Sequence, residues 1–279
     1  CYMKNAHRKT GLRKGLAFIL SVCLFIAPLS TPIEANASTT DQNKAANSLS
    51  SAVTYYSSVQ NKQLSHWEEL LAIYASSKLI GSTIDLSTWD LPVSPSIQTL
   101  LPKTYASFII SELIKGYLPT TEVQALIASS NNNKFSTDPI DQAMAMLALE
   151  IASEAGISVS GYQPTLAIEH LLSMQKSDGG FQSIWDSRTA VDTTGYVALA
   201  LAPYANELQY QKSINSLVNF FHKEQLANGG FNYYWSYNGA SGSDESANST
   251  ALAVWGLAAM KEGTNNSSLS TSISAIMSK

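Results

Sequence analysis

Cysteine is scarce in this sequence of 279 residues, in which Cys1 and Cys23 are the two cysteines. Both precede the tripeptide Ala35-Asn36-Ala37, which is typical of a signal-peptide cleavage site. The chain expected to remain after cleavage therefore has no cysteine. Disulfide bonds, thiolate zinc sites and cysteine nucleophiles are excluded for it.

Positive charge is scarce as well. After residue 37 the chain has 12 lysines and arginines against 20 aspartates and glutamates, a net charge of −8, and Arg188 is its one arginine. Nucleic-acid binding needs lysine and arginine side chains grouped in a patch that neutralises phosphates. The sequence has no such patch, so we expect no nucleic-acid partner.

The sequence has one long hydrophobic run, at residues 16–26. Basic residues precede it: Lys4, Arg8, Lys9, Arg13 and Lys14. The run is shorter than the ~20 apolar residues of a membrane-spanning helix, and its flanks are those of a secretory signal. We predict a short N-terminal remnant and a signal peptide over residues 1–37, starting at Met3 and cleaved after Ala37. The mature chain is then secreted or held at the cell surface without a transmembrane segment.

The clearest pattern in the chain is an internal repeat. Gln175, Asp178, Gly179, Gly180, Phe181 and Trp185 recur as Gln225, Asn228, Gly229, Gly230, Phe231 and Trp235, each 50 residues later. A repeat of this length is typical of stacked supersecondary units.

Each copy predicts two helices joined by a turn. Residues 164–175 and 213–225 carry apolar residues at helical spacing, so we expect an outer helix with one buried face. The paired glycines permit the left-handed backbone of a helix end, and Phe181 and Phe231 can fold back onto the helices. Residues 195–202 and 251–260 are apolar nearly all round, which predicts an inner helix buried on both sides.

Polar residues stand before both predicted inner helices. Segments 192–194 and 248–250 read Asp-Thr-Thr and Asn-Ser-Thr, and both suit the N-terminal cap of a helix. Weaker copies of the unit precede these: residues 140–152 with 105–114 as their outer partner, and a possible hairpin of 45–56 with 67–77. Residues 81–100 form a long connection, and 268–277 begin one more helix.

The Gln-x-x-Asp/Asn-Gly-Gly-Phe unit, with its trailing Trp, resembles the repeat of squalene–hopene cyclases and protein prenyltransferase beta subunits. The segments that open the inner helices, and residues 67–72, are more similar to toroids of bacterial surface proteins and of cobalamin carriers such as transcobalamin. The resemblance implies an all-α fold, the alpha-alpha toroid. We expect a partial or short ring of about four to five helical hairpins over residues 38–279, with the strongest repeats at 164–262.

The chemistry of that superfamily is only partly present. Its cyclases protonate substrate from an Asp-x-Asp-Asp-Thr-Ala segment, and Asp192 matches the proton-donating aspartate, but both flanking carboxylates are missing. Its prenyltransferases bind zinc through Asp, Cys and His, and the mature chain has no cysteine. We therefore predict no metal and no cofactor, and a helix cap as the role of Asp192.

Two other groups of residues are candidates for a site. Acidic residues in the connections, Asp186 with Asp192 and Asp244 with Glu245, have the composition of a glycosidase pair, although acidic residues also favour helix N-termini on electrostatic grounds alone. Aromatic residues in the same connections suit sugar faces, flat ligands or protein partners. The predicted ligand-binding residues are Trp185, Asp186, Asp192, Tyr234, Trp235, Tyr237 and Asp244.

Three functions remain open at this point. The first is an exported, non-catalytic toroid at a Gram-positive cell surface, which binds a small molecule, glycan or protein partner at the loop-bearing end of its barrel. The second is a divergent terpene cyclase or prenyltransferase relative with Asp192 as general acid. The third is an enzyme acting on glycans through Asp186 and Asp244. Residues 239–244 are expected to form a flexible inserted loop that contacts the ligand.

Overall fold

The computed structural model describes residues 39–58, 63–64, 67–79, 84–90, 101–237 and 240–279. The predicted signal peptide and most of the predicted connection at 81–100 lie outside these ranges. The described residues form mainly α-helices, with one two-stranded antiparallel sheet, so the prediction of a predominantly helical fold is confirmed. None of the helices within these ranges is both long and apolar enough to cross a membrane.

The elements follow one another along the chain. The helices are α1 (Thr39–Ser58), α2 (Trp67–Leu79), α3 (Pro102–Lys115), α4 (Thr120–Ser129), α5 (Pro139–Glu154), α6 (Pro164–Leu172), α7 (Val191–Leu201), α8 (Gln211–Glu224), α9 (Ala247–Gly263) and α10 (Ser267–Met277). The strands β1 (Asn232–Tyr237) and β2 (Ala240–Glu245) lie between α8 and α9 in sequence. Short 3-10 helices lie at Leu86–Thr88, Ala202–Tyr204 and Leu208–Tyr210.

The chain divides into two compact units. Among the described residues, the first unit runs to Ser129 and includes Ala148–Tyr162, and the second comprises Ser130–Leu147 and Gln163–Lys279. In the first unit, α1 contacts α2, α2 contacts α3 and α3 contacts α4. Helix α3 begins at a proline, whose fixed φ suits the first turn, and ends at Gly116 with φ 91°, a left-handed cap.

The predicted partnership between residues 105–114 and 140–152 was wrong. Helix α4, which the sequence reading missed, lies between these segments and directly precedes the turn into α5. Helix α3 is not an outer helix with one apolar face, because it buries residues around most of its circumference: Tyr105, Ala106, Ser107, Phe108, Ile109, Ile110, Ser111, Leu113 and Ile114.

The second unit contains a pair of closely packed inner helices, α7 and α9. Nearly every residue of α7 is buried. A β-carbon added to Gly195 would lie 2.8 Å from the carbonyl oxygen of Leu252, and one added to Gly256 would lie 2.8 Å from Cβ of Ala198. Real side chains do not approach so closely, so glycine at both positions lets the two helix backbones come together. Helices are thus confirmed over both predicted segments, and α7 is buried nearly all round as predicted, whereas α9 is not, because Val254 is 42% exposed.

The outer helices α6, α8 and α10 are linked by the repeated glutamines. Nε2 of Gln175, just after α6, donates to the carbonyl oxygen of Ser213 in α8 at 2.9 Å. Nε2 of Gln225, just after α8, donates to the carbonyl oxygen of Ile276 in α10 at 2.8 Å. Each glutamine therefore ties the end of one outer helix to the backbone of the next, which is why the motif begins with an amide side chain.

The prediction of a flexible loop over residues 239–244 was wrong for residues 240–244, which belong to a strand. Residues 240–245 form β2, which pairs with β1 in an antiparallel ladder running from Asn232 opposite Glu245 to Tyr237 opposite Ala240. The sequence carries a signal for this hairpin in Asn238-Gly239, the dipeptide that most favours a two-residue turn. The small polar residues of β2 have low strand propensity, which hid the hairpin.

Candidate functional site

The Gly-Gly-Phe turn has the same geometry in both copies. Gly179 and Gly229 have φ values of 91° and 87°, a region that favours glycine. The N–H of each donates to a carbonyl three residues earlier, at 3.0 Å. The outer helices end at Leu172 and Glu224, several residues before the glycines. The glycines therefore belong to a separate turn and are not the helix caps that the sequence predicted.

A buried phenylalanine follows each turn and is fixed to the inner helix. Phe181 and Phe231 are 0% and 1% exposed. The N–H of Phe181 donates to Oγ1 of Thr194 at 3.0 Å, and the N–H of Phe231 donates to Oγ1 of Thr250 at 3.0 Å. Both threonines in turn donate to the carbonyl four residues earlier. The predicted folding back of the two phenylalanines is confirmed.

A related arrangement, which was not predicted from the sequence, lies at residues 131–142. Asn132 and Asn133 have positive φ, 52° and 64°, and Asn133 stands where the other two turns have a glycine. The N–H of the buried Phe135 donates to Oε1 of Gln142 at 2.8 Å, so a glutamine in α5 takes the place of the threonine. Its Nε2 also donates to the carbonyl oxygen of Ala167 in α6. Asparagine is the non-glycine residue that best tolerates this backbone, and that tolerance is the signal that was available.

The connection between Phe181 and Ala190 is short and held from inside by aspartates. The N–H of Ala190 donates to the carbonyl of Phe181 at 2.9 Å, which closes the connection. Oδ2 of Asp186 accepts from the N–H of Ser183 at 3.0 Å and from Oγ1 of Thr193 at 2.7 Å. Asp138, at the start of α5, accepts from the hydroxyl of Ser183. Asp186 therefore has a structural role in the connection.

Burial raises the pKa of the Asp186 carboxyl above its usual value. The hydrogen bonds from Thr193 and Ser183 act in the opposite direction, and the negative charges of Asp192 and Asp138 raise the pKa further. The structure thus brings Asp186 and Asp192 close enough to interact, as the sequence suggested. Within the described ranges, no group of three or more histidine, cysteine, aspartate or glutamate residues could hold a metal ion.

The predicted cap role of Asp192 was wrong. Helix α7 has Ala190 at its N-cap and no side-chain cap, so Asp192 lies inside the first turn. In α9 the cap is Ser246, whose Oγ accepts from the N–H of Ser249 at 3.1 Å, and Asn248 lies inside the first turn. Asn248 and Asp192 face each other, with Nδ2 to Oδ2 at 3.5 Å. The N-termini of the two inner helices, and the connections that lead to them, therefore lie side by side.

The strand β1 presents a row of aromatic side chains on one face of the hairpin. Tyr233, Trp235 and Tyr237 alternate with the residues of the other face, and they are 46%, 36% and 75% exposed. Trp185, in the shorter connection, is 77% exposed, and its neighbour Ile184 is 66% exposed. We refer to Tyr233, Trp235 and Tyr237 as the aromatic row. Tyr233 belongs to the aromatic residues that the sequence placed in these connections, but the predicted ligand-binding residues include only Trp235 and Tyr237 of the row, and Ile184 was not predicted.

Trp235 is held flat against the hairpin. Its Nε1–H donates to Oδ2 of Asp244 at 2.8 Å. A β-carbon added to Gly242, its cross-strand partner, would lie 2.7 Å from an atom of the indole ring. Glycine at this position therefore makes room for the ring, and Asp244 fixes its orientation. Trp235 and Asp244, both predicted site residues, form one structural unit.

Tyr234 points to the opposite face and anchors the hairpin. Its hydroxyl donates to Oε2 of Glu224 in α8 at 2.8 Å, and the guanidinium of Arg188 lies 4.1 Å from the centre of its ring. Arg188 also forms an ion pair with Glu224 at 2.9 Å. Burial and the hydrogen bond to Glu224 both raise the pKa of Tyr234. The hydroxyl and one ring face of this predicted ligand-binding residue are thus already in use.

Comparison with known proteins gives no match: the chain matches no family model, no curated protein and no solved structure.

Proposed function

We propose that this chain is an exported, non-catalytic toroid that binds a small molecule, glycan or protein partner at the end of its helices where the connections and the hairpin lie. Export is inferred from the sequence of residues 1–37. The toroid is inferred from the repeated order of outer helix, turn, connection and inner helix, with inner helices α7 and α9 packed together and outer helices linked through glutamines.

The observation that carries the proposal is the exposed aromatic row. Exposed aromatic side chains grouped on one surface are costly in a soluble protein and are enriched where proteins bind ligands. Trp235 is oriented by Asp244, and the hairpin that carries it is fixed to α8 through Tyr234 and Glu224. A surface held in its binding geometry before the ligand arrives loses less entropy on binding.

The absence of catalysis is inferred from the surroundings of Asp192. A dry general acid needs neighbouring groups that tune its proton affinity. Asp192 is half-buried, and an asparagine amide faces its carboxylate at the corresponding position of the next repeat. The cyclase motif has further carboxylates beside its acid, and both are missing beside Asp192.

One observation favours a second candidate, an enzyme that acts on glycans. Asp186 has a raised pKa and lies near Asp192, and a pair of neighbouring carboxyl groups is the pattern of a glycosidase. Both carboxyl groups of such a pair must reach the substrate. Oδ2 of Asp186 already accepts two hydrogen bonds within its own connection, and we therefore place this candidate second.

The experiment compares the mature protein with a variant in which Tyr233, Trp235 and Tyr237 are alanine. Retention on isolated Gram-positive cell walls is measured by sedimentation, with circular dichroism as a control for folding. Replacement of the three exposed residues Tyr55, Tyr117 and Leu208 by alanine is the matched control. We expect only the first variant to lose retention, and equal retention of both variants would contradict the proposal.

The same preparation distinguishes the enzymatic candidates. Incubation with cell-wall polysaccharide or with isoprenoid diphosphates should give no product with the wild-type protein. A product that disappears in Asp186→Asn would support the glycan enzyme. One that disappears in Asp192→Asn would support the cyclase relative.

A further inference from the structure

The hairpin has an outer strand with an exposed edge. Strand β1 contacts the inner helices α7 and α9, and β2 pairs with β1 on its other side. Every residue of β2 is exposed except Gly242, which is half-buried. The outer strand of a sheet carries a row of backbone N–H and C=O groups that can pair with another extended chain.

The ladder identifies which backbone groups point outward. The N–H of Ser246 donates to the carbonyl of Phe231 at 2.9 Å, which makes this pair a hydrogen-bonded position of the ladder. Hydrogen-bonded and non-bonded pairs alternate in an antiparallel ladder, and the N–H and C=O of Ser241 and Ser243 therefore point away from β1. Within the described part of the chain, no backbone hydrogen bond from outside the hairpin reaches these groups.

The aromatic row lies on one face of this edge. On that face β2 contributes Ala240, Gly242 and Asp244, two residues with little or no side chain and one carboxylate. The indole of Trp235 lies across Gly242 and therefore extends towards the outer edge of β2. A side chain from a strand added at that edge would contact the ring face of Trp235 and approach the carboxylate of Asp244.

The charges at this edge select the occupant. The two charged residues of the described hairpin, Asp244 and Glu245, are both acidic and lie at the end of β2. The nearest arginine, Arg188, contacts the opposite face and is paired with Glu224. Aromatic ring faces and a carboxylate together attract a cation, whereas a second copy of this chain would bring two sets of the same carboxylates together.

We propose that the outer edge of β2 binds an extended, lysine-bearing segment of a partner protein, which adds to the hairpin as a third, antiparallel strand. The backbone of the segment pairs with Ser241 and Ser243. Its lysines lie opposite Gly242 and Asp244, over the indole of Trp235. This inference rests on the proposed function and names its partner class as protein.

The geometry predicts which backbone N–H groups of the segment are needed for binding. Residues opposite Gly242 and Asp244 share the aromatic face, and their own N–H groups point away from β2. Residues opposite Ser241 and Ser243 direct their N–H groups towards β2. In a peptide of alternating threonine and lysine, backbone N-methylation of the threonines should therefore block binding, while methylation of the lysines should not.

The test uses the mature protein and a capped hexapeptide of alternating threonine and lysine. Binding is followed by NMR through the backbone amide shifts and exchange protection of Ser241 and Ser243. We expect affinity for this peptide to fall with rising salt. The lysine-methylated peptide should bind comparably, and the threonine-methylated peptide and one with glutamate in place of lysine should bind at least about tenfold more weakly.

Two pairs of variants test the protein side. Ser243→Pro removes an outward N–H that the ladder does not use, a position where an edge strand tolerates proline, and Ser243→Ala is its matched control. We expect Ser243→Pro to lose at least about tenfold in affinity and Ser243→Ala to bind as the wild type does. Asp244→Asn should lower the affinity and remove most of its salt dependence, with Asp178→Asn as the control.

Failure of the wild-type protein to bind the lysine peptide would overturn this inference, as would equal binding of the two methylated peptides. The peptide result does not depend on whether Ser243→Pro folds. If the peptide fails but the aromatic row is still needed for cell-wall retention, the proposed function stands and the ligand is not an extended basic peptide. Dimerisation of the protein through β2 at low salt would also count against it.

Discussion

The connections that lead into α7 and α9 have the same hydrogen bonds at their two ends and different structures between these ends. Each begins at a buried phenylalanine, whose N–H donates to a threonine of the inner helix. Each ends at a residue whose N–H returns to the carbonyl of that phenylalanine, Ala190 in the first case and Ser246 in the second. The ends of the connection thus belong to the repeat, whatever lies between them.

The segments between the two ends differ in structure. The first connection is closed around Asp186, which binds the hydroxyl of Thr193. The second has the hairpin instead, and the hydroxyl of Ser249, the counterpart of Thr193, is buried with no partner among the described residues. The second connection therefore lacks a hydrogen bond that the first one has, and it contains an exposed pair of strands instead. We infer that the repeat supplies stability and the inserted hairpin supplies recognition.

The largest expected effect tests whether the two phenylalanines are equivalent. Phe181→Ala and Phe231→Ala each remove a fully buried ring, which should lower the free energy of unfolding by about 3–5 kcal/mol. Tyr237→Ala, at an exposed ring, should change it by less than about 0.5 kcal/mol. Urea denaturation measures all three. If one phenylalanine costs less than about 1 kcal/mol, the two turns do not have the same role.

The glycines of the two turns should differ by a smaller amount. Alanine at Gly179 or Gly229 is strained by about 1–2 kcal/mol because of the left-handed backbone. At Gly179 the added methyl would also meet the backbone carbonyl of Ser216 in the middle of α8, and it would approach that carbonyl more closely than a methyl at Gly229 would approach the backbone of Lys279. We therefore expect Gly179→Ala to be the more destabilising in urea.

Gly116→Ala separates strain from contact, since Gly116 has a φ of 91° and nothing within 4 Å of an added β-carbon. It should show the strain alone, and its cost should be lower than the costs of Gly179→Ala and Gly229→Ala. A cost for Gly179→Ala no greater than that for Gly116→Ala would show that the turn is not closely packed on α8.

The smallest effect concerns Asp186, which the second connection lacks. Because its pKa is raised on folding, the folded protein keeps this proton to a higher pH than the unfolded chain. Its contribution to stability is therefore present at low pH and is lost as pH rises from about 4 through the raised pKa. The unfolding free energy of the wild type minus that of Asp186→Asn should decline over this range. A difference that increases with pH would contradict the assignment.

The sequence predicted those parts of the fold in which one physical cause dominates. Helix α7 is apolar nearly all round because nearly all of it is buried, whereas α9 has the same composition although Val254 is 42% exposed, and the first glycine of each pair lies where the backbone is left-handed. The third turn was missed because Asn132 and Asn133 supply that backbone without glycine, and because Gln142 supplies the hydrogen bond of a threonine. The buried phenylalanine and its hydrogen bond to the following helix are kept there, while the glycines, the threonine and the length of the turn differ.

The candidate site was predictable in composition and not in arrangement. Aromatic and acidic residues in the connections indicated the segments in which the exposed aromatic row lies. Their roles depended on strand register, because alternation sends Tyr234 towards Glu224 and Tyr233 into the solvent-exposed row. The segment was predicted to be a loop, and side chains in a loop do not alternate between two faces. The sequence therefore did not separate Tyr234, which anchors the hairpin, from the exposed residues of the row.

The most direct test exchanges one connection for the other. Residues 232–245 are replaced by residues 182–189, with Phe231 and Ser246 kept, and both unfolding in urea and retention on cell walls are measured. We expect the free energy of unfolding to stay within about 1 kcal/mol of the wild type, since Asp186 then has the hydroxyl of Ser249 to bind, and retention to be lost. A folded exchange variant that is still retained would show that the hairpin is not the binding element.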